Sequence, residues 1–71
     1  MKEEFMAYAQ VFPEKQAQVT RAQLFLRRAG IDSIQELSTL FREDRERIAK
    51  IRGIGPHLME LLEQMLNYFS G

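Results

Sequence analysis

Two helix-period apolar runs, separated only by Gly53-Ile54-Gly55-Pro56, govern what this chain can fold into. Ile48 and Ile51 precede the break, and Leu58, Leu61, Leu62, Met65, Leu66 and Phe69 follow it at spacings of one, three and four. Each run predicts a helix with one apolar face. A connection this short turns the chain sharply, and glycine suits it where φ is positive or a Cβ has no room. Pro56 fits the first position of the second helix, where the missing N–H costs nothing and φ is already helical. The amides of that first turn then point out of a hairpin poor in side chains. Such an end attracts anions, phosphate above all. The same Gly-x-Gly also serves as an ordinary glycine stop in helical proteins, so spacing alone leaves both readings open.

The rest of the chain reads the same way. No period-2 run of β-branched residues and no hairpin dipeptide between such runs is present. The expectation is an all-α fold, a compact bundle of four to five short helices with a C-terminal helix-hairpin-helix. Phe5, Ala9 and Phe12 set a short helix over residues 2–11, ended by Pro13. It belongs to an N-terminal extension, residues 1–18, that docks on the remainder or serves a partner; residues 19–71 form the helical domain proper. Thr20 and Gln23 have the form of a capping box and predict a helix from about residue 21 to Ala29, with a start near Glu14 as the alternative. Gly30 stops it. Ser33 and Glu36 form a second capping box, opening a helix through about Leu40. Glu43 and Asp44 then begin the first helix of the hairpin, their charge favourable at an N-terminus. Leu26, Ile34, Leu37, Ile48, Ile51, Leu62 and Leu66 are the expected core.

Composition removes several classes of function. A single 71-residue domain without cysteine has neither a disulfide framework nor a thiolate metal site. One histidine and no suitable carboxylate cluster leave metal and cofactor binding without support. No nucleophile–base pair appears, so an enzyme is not expected. No apolar run approaches the roughly 18–20 residues that span a bilayer, and the start lacks the order of a signal peptide. A cytoplasmic protein is the expectation. Ten basic and ten acidic side chains cancel overall, yet residues 21–52 hold eight basic groups against five acidic. Seven of those eight are arginine, which suits bidentate phosphate contacts. Arg42, Arg45, Arg47 and Lys50 lie among Glu43, Asp44 and Glu46, and intrahelical ion pairs account for them. Arg52 adjoins the hairpin and has no carboxylate near it in sequence.

Taken in order, Val19-Thr20-Arg21-Ala22-Gln23-Leu24-Phe25-Leu26-Arg27-Arg28, then Ile31-Asp32-Ser33-Ile34-Gln35-Glu36-Leu37, and finally Gly53-Ile54-Gly55-Pro56-His57-Leu58-Met59-Glu60-Leu61 match a known pattern. Over residues 19–69, with a short insertion near Phe41 to Asp44, the chain resembles the C-terminal domain of the bacterial RNA polymerase alpha subunit. The resemblance implies a domain that enters the minor groove of A·T-rich DNA and also docks transcription factors. It assigns the groove arginine to Arg21, the hairpin glycine to Gly55 and the backbone-contacting basic position to His57. Leu24 stands where that family has a groove-contacting asparagine, His57 where it has lysine, and Leu58 where it has serine. Losing an amide, a lysine and a hydroxyl together removes much of the hydrogen bonding such a contact needs, so the specific promoter-element readout does not carry over. The nucleic-acid-binding candidates are therefore Arg21, Arg52, Gly53, Ile54, Gly55 and His57. The alternative is a protein-interaction module that keeps the fold and presents a surface around Phe5, Tyr8 and Leu24.

Overall fold

The computed structural model describes residues 1–70. Five α-helices succeed one another: α1 (Lys2–Val11), α2 (Gln16–Arg28), α3 (Ile34–Glu43), α4 (Arg45–Ala49) and α5 (Pro56–Ser70), with a 3₁₀ turn over Pro13–Lys15. There is no strand among the described residues, so the fold is a small all-α bundle. α2 lies between α1 and α5, while α3 and α4 close the remaining side.

Pro13 both ends α1 and opens the next element. Its fixed φ starts the 3₁₀ turn, which runs directly into α2. α2 thus begins four residues before Thr20, at Gln16, near the alternative start. Thr20 is interior, and its capping box is unused. Val19, Ala22 and Leu26 are buried together, and seating Val19 in that stripe requires helix on both sides of it. The far end of α2 is a Schellman stop. Gly30 takes φ +88°, its N–H donates to the Arg27 carbonyl at 3.0 Å, and Ile31 N–H donates to the Leu26 carbonyl at 2.9 Å. The reversal drops Ile31 into the core.

Ser33 caps α3 as its sequence predicts: Oγ accepts from the Glu36 amide at 3.0 Å. The Glu36 carboxylate reaches back one residue further than a standard capping box and accepts from the Asp32 amide at 3.3 Å. α3 continues to Glu43, which closes it rather than opening α4. Leu37 and Phe41 extend one buried stripe, so helix persists until Asp44 leaves helical geometry at φ −147°, ψ 66°. α4 has only five residues and is fastened from outside itself. Arg45 donates to the Glu63 carboxylate of α5 at 3.0 Å and its guanidinium lies 4.5 Å from the Phe41 ring centre. The expectation of ion pairing within this helix is therefore corrected: Arg45 pairs between helices, and Arg42 meets Glu43 only at 4.0 Å on the surface.

Phe5, Leu26, Leu37, Ile48, Leu62 and Met65 are the large, fully buried side chains. Ile34, Ile51 and Leu66, expected beside them, flank this centre half-buried. α1 contributes Phe5 and Tyr8 to the same cluster, at 1% and 3% exposure. A docking surface around Phe5, Tyr8 and Leu24 is therefore not available: two of the three are core, and only Leu24, 44% exposed, faces solvent.

Candidate nucleic-acid interface

The hairpin between α4 and α5 is built from two successive turns. Ile51 N–H donates to the Ile48 carbonyl at 3.1 Å, and Ile54 N–H donates to the Ile51 carbonyl at 3.0 Å. The second is a β-turn with Gly53 at its third position and φ +95°, the position that favours glycine in a type II turn. Space is a second reason for glycine there. The Phe25 ring of α2 covers Gly53 so closely that a Cβ would sit 2.6 Å from its Cζ.

Gly55 differs. Its φ is not in the left-handed region, and a Cβ would meet nothing within 4 Å. The fold does not require glycine here, and the expectation that both turn glycines are conformationally necessary holds for Gly53 alone. The Gly55 carbonyl accepts from the Met59 amide at 3.0 Å, which makes Gly55 the N-cap and Pro56 the first residue of α5. The amides of His57 and Leu58 have no protein acceptor among the described residues, as first-turn amides commonly do not. No acidic side chain occupies that turn. Ile54 is a correction to the candidate set. Its side chain is only 6% exposed and anchors the hairpin in the core, so it offers a ligand nothing beyond its backbone.

One flank of α2 runs alongside this segment in reverse order. Arg28 shares a cleft with Arg52, Phe25 covers Gly53, and Gln18 shares a depression with His57. Arg21, three residues after Gln18 and four before Phe25, belongs to the same flank, exposed. Arg21, Arg52, Gly53, Gly55 and His57 are thus brought to one side of the molecule. Among the described residues, Arg21, Arg28 and Arg52 form no ion pair. Glu60, one turn into α5, lines the His57 depression and is the carboxylate at that end.

Arg28 is a basic residue of this flank that sequence reasoning missed. Its signal was present: seven residues after Arg21 and three after Phe25, it falls on the same helical flank once α2 is known to be one helix. Among the described residues no group of three or more His, Cys, Asp or Glu side chains gathers around a metal-sized space. Comparison with protein-family models, with curated proteins and with solved structures finds no match for this chain.

Proposed function

We propose that this domain binds the backbone of duplex DNA, weakly and with little regard to sequence, through the Gly53–His57 hairpin assisted by Arg52 and Arg21. The observation that carries the reading is the gathering of Arg21, Arg52 and His57 on the flank where Gly55 leaves the backbone uncovered and the first amides of α5 are free. A phosphate placed there meets backbone donors, the positive end of a helix dipole worth about 0.3–1 kcal/mol, and guanidinium groups that form no ion pair among the described residues, with Glu60 as the carboxylate at the His57 end. The resemblance to the polymerase alpha C-terminal domain supports the same reading and suggests a role in transcription, with the cytoplasm as the proposed location. Among the described residues no helix is long and apolar enough to cross a membrane.

Sequence indifference arises from the chemistry of the contact. Phosphates carry no base information. Leu24, exposed on the face next to Arg21, stands where the resembled domain has its groove asparagine and offers a base edge no hydrogen bond. Few phosphates are within reach, so affinity is low and falls steeply with salt.

The test is fluorescence anisotropy of short duplexes of differing sequence, near 50 mM salt, where backbone contacts are strongest. Arg52→Glu is expected to weaken binding to every duplex alike. Gly55→Val is expected to do the same by covering the backbone, with some loss of stability because valine is a poor N-cap although a Cβ there meets nothing within 4 Å. No binding by the wild type, or indifference to both changes, would move the function to protein docking. Leu24 is then the exposed residue to alter, and a partner lost on Leu24→Asp with an unchanged circular dichroism spectrum would establish that reading.

A further inference from the structure

The cleft between the C-terminal end of α2 and the hairpin lies beyond the contacts assigned to Gly55 and His57. Phe25, Ala29 and Ile51 line it, with Arg28 and Arg52 as its charged members and no carboxylate. Arg45 and Arg42 have partners of opposite sign, Glu63 and Glu43, whereas among the described residues Arg28 and Arg52 form no ion pair. Two guanidinium groups on one shallow apolar floor repel each other until an anion enters between them. Their planar forks match the oxygens of a phosphodiester, which has two unesterified oxygens to share.

We infer that the cleft between Arg28 and Arg52 seats a second phosphate of the DNA backbone, with Arg28 as a binding residue in its own right. The inference rests on the DNA-binding reading and extends it. The reversed alignment of α2 with the hairpin gives the direction of the strand: His57 beside Gln18, then Gly53 under Phe25, then Arg52 with Arg28. From Arg21 to Arg28 the helix rises roughly 10 Å. A DNA strand covers that in about three nucleotides at 3.4 Å of axial rise each. The contacts therefore run lengthwise along this flank instead of ending at the hairpin.

Arg27 supplies the control. It is the neighbouring residue on α2 and carries the same charge, but it lines a depression on the other side with Met1, Lys2, Gln23 and Asp32. The experiment titrates one mixed-sequence duplex with the wild type, Arg28→Ala and Arg27→Ala at several salt concentrations between about 50 and 200 mM. Arg28→Ala is expected to weaken binding and to flatten the plot of log K against log salt by about 0.9, one phosphate contact. Arg27→Ala is expected to leave that slope unchanged. Equal slopes for the two variants, with the wild type binding and Arg52→Glu weakening it, would overturn the second phosphate while leaving the hairpin contact standing. A wild type that binds no duplex at the lowest salt would overturn both.

Discussion

Gly53 and Gly55 look alike in the sequence and are held by different physics. At Gly53 an L-residue would occupy a left-handed conformation and push its Cβ into the Phe25 ring. Gly53→Ala is expected to lower stability by about 1–3 kcal/mol, the range for a non-glycine residue forced to positive φ. Chemical denaturation followed by circular dichroism measures it, and a loss below about 0.5 kcal/mol, an ordinary surface change, would show that the turn relaxes. Gly55→Ala should cost no more than about 1 kcal/mol, the N-cap preference for glycine over alanine, because its Cβ enters open space. The contrast separates a residue the fold requires from one the fold leaves free, open to the proposed backbone contact. Arg21 and His57 entered as candidates through the resemblance to the polymerase alpha domain; only Arg52, beside the hairpin, was legible from spacing. Ile54 was not, since which way a turn residue points is settled by packing across the chain. Arg28 shares the helical flank of Arg21 in the sequence, but its place beside Arg52 exists only in three dimensions.

At the scale of the element, the two capping boxes make a matched pair. Both Thr20-x-x-Gln23 and Ser33-x-x-Glu36 satisfy the same local pattern, yet only Ser33 caps a helix. Ser33→Ala is expected to cost about 1 kcal/mol through the lost bond to the Glu36 amide. Thr20→Ala, at an exposed interior position of α2, should stay within about 0.5 kcal/mol. A thermal or urea melt of each variant decides it; equal losses would mean that α2 frays to Thr20 in solution. Local chemistry nominates helix starts, and burial chooses among them: Val19 had to be helical to join Ala22 and Leu26. The same competition hid the α3–α4 boundary. Glu43 and Asp44 suit a helix start, but the Leu37–Phe41 stripe carries α3 past Leu40, leaving α4 only five residues. Helix type and number were legible from period and glycine stops, and those boundaries where two signals compete were not.

For the whole molecule the deciding fact is that α1 is part of the one core. Phe5 sits fully buried with Leu26, Leu37, Ile48, Leu62 and Met65. Tyr8 lies among Phe12, Tyr68 and Phe69, with ring centres 4.7, 5.5 and 6.4 Å away, so α1 also covers the end of α5. Leu62→Ala at the centre is expected to cost about 2–5 kcal/mol. A chain of 71 residues has stability on the order of 4–10 kcal/mol at roughly 0.05–0.15 kcal/mol per residue, so that single change removes much of it. Removing residues 1–12 deletes Phe5, Tyr8 and Phe12 at once, and a Phe→Ala truncation in a core alone costs about 3–5 kcal/mol. The sum exceeds what a domain this size holds in reserve. Residues 13–71 are therefore expected to lose the cooperative transition in a urea titration followed by circular dichroism, and with it the fixed alignment of α2 against the hairpin. The DNA binding proposed for the whole domain should then be absent from that fragment although Arg21, Arg28, Arg52 and His57 are all retained. A sharp transition together with wild-type affinity would instead make α1 an appendage, and would place the whole of the binding fold in the residues from Pro13 onward.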